Sequence, residues 1–155
     1  MGPVLAQLEQ SGLATWIRES GVLYGYPLIL FLHTLGLSIV VGLSSAIDLR
    51  LLGIAPGIPL ESLRKTFGLL WAGLVLTALT GTLLFLSDAV KHGSNPAFYV
   101  KLLFVILAVI ALVAVRKRMF GPGKPGRLLA AASLGCWFIA LSAGRLMAYV
   151  SEFVS

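Results

Sequence analysis

The apolar residues of this chain fall into four long blocks, at about 22–47, 67–86, 97–115 and 128–150. Each approaches the roughly 20 residues that a hydrocarbon core of about 30 Å demands. Inside a bilayer the backbone must satisfy its own N–H and C=O groups, so each block predicts a transmembrane α-helix. Turn signals fall between the blocks: Pro56 and Pro59 in the Gly53–Leu60 stretch, then Gly93-Ser94-Asn95-Pro96, then Gly121-Pro122-Gly123-Lys124-Pro125-Gly126. Residues 1–20 read differently. Val4, Leu5, Leu8, Leu13, Trp16 and Ile17 are interleaved with Gln7, Glu9, Gln10 and Ser11. That segment is too short and too polar to span, and its pattern predicts an amphipathic helix at the membrane interface with Trp16 as an anchor. The fold class expected is all-α: a four-helix transmembrane bundle preceded by a short interfacial amphipathic helix, in one domain over residues 1–155.

Composition turns this pattern into a statement about solvent. The chain is 58% hydrophobic and 12% charged, with mean hydropathy +0.96, whereas about a quarter of a soluble domain is charged. In 155 residues so much apolar surface cannot be hidden from water, and lipid removes the difficulty. The formal charge of +6 would suggest nucleic acid in a soluble protein. Here the basic residues cluster beside the apolar blocks and read as topology determinants, so no nucleic-acid partner is expected. Arg50, Arg64 and Lys65 flank the first connector, and Arg116, Lys117, Arg118, Lys124 and Arg127 the third. The positive-inside rule places both connectors in the cytoplasm, and the N-terminus and C-terminus outside, in a bacterial inner membrane. The N-terminus lacks a basic stretch followed by an apolar region and a cleavage site, so the first span is expected to direct its own insertion. Cys136 is the only cysteine, which rules out an intrachain disulfide.

An ionisable group within a span is costly and is a functional candidate for that reason. His33 is the only histidine within a span, near the middle of the first block, on a helical face with Tyr26, Ile29, Leu30, Gly36, Leu37 and Val40. Gly36, one turn away, removes side-chain bulk beside the imidazole, as a planar macrocycle would require. His33 is therefore a candidate axial haem ligand, or a proton-carrying group; the alternative is a neutral histidine bonded to a neighbouring Ser or Thr. Lys101 lies one turn inside the third span and Arg145 in the fourth, within Ser142-Ala143-Gly144-Arg145. Both are expected at the level of Asp88, where two cations could clamp haem propionates, a quinone head group or another anion. Asp88 and Arg145 form the candidate structural ion pair. His92 lies in a connector, well apart in depth from His33, so one haem would need another second ligand, such as Met147 or a second subunit's histidine. Gly73, Thr77 and Gly81, with Gly68, Ala131, Gly135 and Ser142, read as small residues for close helix packing. Asp48-Leu49-Arg50 reads as a topological and structural element, with local pairing to Glu61, Arg64 or Lys65. The sequence contains no zinc-ligand spacing, phosphate-binding glycine loop, Ser-His-Asp set or paired carboxylates.

Phe31-Leu32-His33-Thr34-Leu35-Gly36, Asp48-Leu49-Arg50-Leu51-Leu52-Gly53 and Asn95-Pro96-Ala97-Phe98 with Lys101 together resemble an uncharacterised family of small four-span bacterial membrane proteins. The resemblance covers most of the chain from Tyr26 to about Val113. More distantly, His33 with Lys101-Leu102-Leu103-Phe104-Val105 looks like the copper-resistance D membrane proteins and the J-type protoporphyrinogen oxidases. That likeness implies a four-helix core with a haem or redox role at an intramembrane histidine, carried over to His33 and Lys101 alone. The chain departs from the pattern by lacking a second histidine at the far end of the third span. The function expected is thus a small membrane protein that binds haem b or is otherwise redox-associated, alone, as a homo-oligomer or within a larger membrane complex. The alternatives are a non-catalytic accessory subunit and a small-molecule transporter.

Overall fold

The structure is a computed structural model describing residues 2–20, 24–120 and 126–153, apart from the side chains of 2, 120 and 147–153. Among the described residues it is helical without strands. In chain order the helices are α1 (Gly2–Glu9), α2 (Gly12–Glu19), α3 (Tyr26–Leu52), α4 (Leu60–Lys65), α5 (Phe67–Ser87), α6 (Ala89–Gly93), α7 (Pro96–Phe120) and α8 (Arg127–Phe153). Four of them, α3, α5, α7 and α8, are long and apolar enough to cross a membrane. Phe31, Leu79, Ile110 and Phe138 point outward and are 59–73% exposed, as lipid-facing side chains are. The chain is a multi-pass membrane protein.

The boundaries shift from those expected, for local reasons. The first span is observed as Tyr26–Leu52 rather than 22–47; residues 21–23, where it was expected to start, lie outside those described. Pro27 occupies the first turn, where its missing N–H costs nothing. At the other end the helix runs through Asp48-Leu49-Arg50 to Gly53, whose φ of 85° makes a left-handed cap bonded back to Leu49 and Arg50 carbonyls. α7 likewise continues past 115 to Phe120 because Val115 and Met119 extend its buried face. Asn95 starts α7, its Oδ1 accepting from the Ala97 N–H at 2.9 Å. The expected loop at 121–125 lies outside the described residues.

The bundle is built around α3, which packs on α5 and on α8, while α7 packs along α8. The α3–α5 seam is a small-residue contact. A Cβ at Gly36 would sit 2.5 Å from Thr77 Oγ1 and 3.1 Å from the Gly73 carbonyl, and one at Gly73 would sit 2.9 Å from Ile39. Two backbones therefore approach where side chains would hold them apart. Gly68 and Gly135, expected to serve the same purpose, have open space around them. At the end carrying α4 and the basic residues, Ile47, Phe67, Leu70, Leu112, Val115 and Met119 form the largest buried cluster. The Arg64 guanidinium donates to the Met119 carbonyl there, and Arg116 lies over the Trp71 ring at 5.8 Å.

The amphipathic segment is two helices, not one, and they dock on the opposite end of the bundle. Ser11 breaks the segment and caps α2 by accepting from the Ala14 N–H. Ala14 and Ile17 are buried, Arg18 donates to the Ser87 carbonyl at 2.9 Å, and Glu9 accepts from the Val90 N–H at 3.0 Å. Both polar contacts satisfy helix-terminal groups of α5 and α6. Trp16 remains 58% exposed, free to act as the anchor its sequence suggested.

Gly36→Ala places a methyl against the α5 backbone and is expected to lower stability by about 1–3 kcal/mol, the usual cost of overpacking. Gly42→Ala, with nothing within 4 Å, serves as the neutral control. Unfolding by denaturing detergent in mixed micelles measures both.

Candidate functional site

His33 lies seven residues from the start of α3, roughly 10 Å along the helix axis at 1.5 Å per residue. That is well short of the middle of this 27-residue helix, so the mid-span position expected for it is corrected: the helix starts later and runs further than the apolar block implied. The ring lies over Gly81, whose Cβ would stand 3.0 Å from Cε1. Nδ1 is 3.1 Å from the Thr77 carbonyl and 3.1 Å from Thr80 Oγ1. A carbonyl can only accept, so the proton is assigned to Nδ1. The Thr80 hydroxyl spends its own proton on the Leu76 carbonyl at 2.6 Å and is thus free to accept as well. Nε2, left as a bare acceptor, makes no hydrogen bond among the described residues.

On the other side of α3 a cleft of about 280 Å³ opens between α3, α7 and α8. His33, Lys101 and Arg145 all line it, with Leu30, Trp137 and Gly144. Three of the four residues expected to form a site are therefore brought together by the fold. The Lys101 stem passes alongside Gly144, where a Cβ would stand 3.6 Å from it, an ordinary van der Waals contact. The sole ion pair among the described residues is Arg64–Glu61, at 3.7 Å. Lys101 and Arg145 thus share a cleft with apolar walls and pair with no acid among the described side chains.

Two expectations are corrected by this geometry. Gly36 does not open a slot beside the imidazole: it is buried, and Thr77 and Gly73 occupy the space its missing side chain leaves. The Asp88–Arg145 pair does not form, because Asp88 caps α5, which packs on α3, whereas Arg145 lies on α8 along the far side of α3. His92 sits apart from the cleft, its Nδ1 donating to the Asp88 carbonyl at 2.9 Å beside Phe85 and Phe98. Met147 lies outside the residues whose side chains are described.

A haem b needs an iron ligand, a slot for the macrocycle and partners for two propionates. The first and third are present: a histidine that ties one ring nitrogen to a carbonyl and leaves the other bare is how metal-ligating histidines are held, and Lys101 and Arg145 suit carboxylates. The slot is small. Ligand pockets run from roughly 300 to 1,000 Å³, and a cleft of about 280 Å³ seats a head group or one edge of a large ring. Among the described residues no cluster of three or more His, Cys, Asp or Glu side chains suits a metal ion.

Asp48 is the polar residue whose position the sequence concealed. It reads as a helix-end charge, yet it is 1% exposed and pairs with none of Glu61, Arg64 or Lys65. Arg50 turns away to donate to the Ile58 carbonyl at 2.6 Å. The available signal was Ser44, one helical turn earlier on the same face.

The chain matches no protein-family model, and neither a curated protein nor a solved structure matches it.

The hydrogen bonding of His33 can be read directly. Nitrogen-15 NMR of histidine-labelled protein in bilayers should find Nδ1 protonated and Nε2 bare, with the assignment fixed by loss of the signals in His33→Gln. A ring protonated on Nε2 instead would contradict the arrangement.

Proposed function

We propose that this chain is a redox-associated membrane subunit that holds an amphiphile with an oxygen-rich head group, of the quinone or quinol type, in the cleft between α3, α7 and α8. The observation that carries the reading is a cleft lined by His33, whose Nε2 makes no hydrogen bond among the described residues, together with two cations that have no acidic partner among them. A quinol hydroxyl donates to an imidazole lone pair, and a carbonyl or phenolate oxygen accepts from Lys101 or Arg145. The apolar walls, Leu30 and Val105 among them, suit a ring and tail arriving from the lipid. The likeness of His33 and Lys101 to haem- and redox-linked four-span proteins points the same way. The basic end would face the cytoplasm of a bacterial cell, with the cleft toward the outer leaflet.

A haem b on His33 is the second reading, favoured by the Nδ1–H contact with the Thr77 carbonyl. It would use Nε2 as its ligand and Lys101 and Arg145 for its propionates, and it would supply one-electron chemistry. Absorption spectra of the purified protein, oxidised and reduced and after haem supplementation, separate the two. A Soret band lost in His33→Ala assigns haem.

Without such a band, calorimetric titration of the protein in nanodiscs with a short-chain quinol should give saturable binding. Lys101→Met and Arg145→Gln are each expected to weaken it about tenfold or more, in line with roughly 1.5–3 kcal/mol for a hydrogen bond to a charged group. Binding unchanged in both variants and in His33→Ala would remove the cleft from consideration.

A further inference from the structure

A second polar site lies at the other end of α3. Asp48 is four residues from the helix end, roughly 6 Å along its axis, and faces α8. The hydroxyls of Ser44 and Ser133 flank its carboxyl group. Asp48, Ser44 and Ser133 are 1%, 1% and 0% exposed. Ser44 Oγ accepts from the Trp137 indole N–H at 2.9 Å. Asp48 Oδ2 and Ser133 Oγ are sealed from outside and have no hydrogen-bond partner among the described residues.

Among the described residues no cationic side chain neutralises this carboxyl; Lys124 lies outside them. On α3 itself, Arg50 is engaged with the Ile58 carbonyl. On α4, Arg64 is held by Glu61 and the Met119 carbonyl, and Lys65 is exposed. From α5 come Phe67 and Leu70, both apolar. On α7, Arg116 lies over Trp71, and Lys117 and Arg118 are exposed. On α8, Arg127 is exposed near Gly53. An ionised carboxylate buried with no counter-charge is strongly disfavoured, so the group must carry a small cation of its own.

We propose that Asp48, Ser44 and Ser133 form an intramembrane binding site for a monovalent cation, a proton or a sodium ion, exchangeable with the aqueous phase at the basic end of the bundle. The carboxyl supplies the charge, and the two hydroxyls supply oxygens that can accept from an acid proton or ligate sodium. The position roughly one turn below the helix end keeps exchange with water short, whereas a carboxyl at mid-span would need a long relay. None of these three residues lines the His33 cleft.

Dicyclohexylcarbodiimide, an apolar reagent that adds only to protonated carboxyl groups, tests this in proteoliposomes. Mass spectrometry of the digested protein should find Asp48 modified, with less modification as the pH rises. If sodium but not potassium protects Asp48, the bound cation is sodium; if neither does, it is the proton. Infrared difference spectra supply the second measurement, since the carbonyl stretch of a protonated acid should change on titration with acid or sodium and vanish in Asp48→Asn. That variant should fold, because the amide is a neutral isostere of the acid. Absence of any Asp48 signal that responds to pH or sodium, in both measurements, overturns the proposal.

Discussion

The close approach of α3 and α5 is the contact on which the rest depends. Lipid tails are as apolar as leucine, so helices in a bilayer are not driven together by water, and van der Waals packing and interhelical hydrogen bonds must hold them. Gly36 and Gly73 remove the side chains that would separate the two backbones. The same closeness brings the Thr77 carbonyl and the Thr80 hydroxyl within 3.1 Å of the His33 ring. Packing and chemistry therefore share one cause. Were α5 further away, Nδ1 would have no fixed acceptor, the tautomer would be unspecified and Nε2 would not be left bare by construction.

With one face of α3 committed to α5, its other face is left for α8, and the polar groups along that face, with Lys101 of α7 beside them, divide by depth. Near the end carrying α1 and α2 they are cationic and line an open cleft; near the basic end they are acidic and hydroxylic and are sealed. The division follows from side-chain length. Lys101 and Arg145 have long stems that can lie along apolar surface while the charge stays at the cleft, as snorkelling residues do. Asp48 has one methylene and no such freedom, so it is buried wherever its Cα is buried.

This difference also explains what could be read from the chain alone. The number of spans, their gross extent and the amphipathic start were legible because hydropathy and glycine-proline breaks act over whole segments. The shared level of Lys101 and Arg145 was legible as a matter of depth, since span ends fix the level of each residue, whereas His33 was read too deep because its helix starts later than the apolar block implied. Which face of which helix a residue meets was not legible. Gly36 looked like space for a cofactor because periodicity placed it beside His33, but only the crossing of α3 on α5 decides that Thr77 fills that space. Asp88 and Arg145 shared a level but not a neighbour. Asp48 was misread for the same reason as the end of the first span: its charge suggested a boundary, while the left-handed cap at Gly53 let the helix run on and carried the carboxyl inside.

Trp137 connects the two polar regions. Its ring lines the cleft, it belongs to the buried cluster with Val40 and Ala108, and its indole N–H is bonded to Ser44 one turn from Asp48. An indole has a single donor, and in lipid no water offers a substitute acceptor nearby. Rotating the ring to suit an occupant of the cleft would give up that bond and leave both the N–H and the Ser44 oxygen unpaired, at about 1–3 kcal/mol for a buried group. The wall of the cleft is therefore held by the same hydroxyl that flanks the carboxyl. Its rigidity comes from the polar site at the far end of α3, and not from the residues that would touch a ligand.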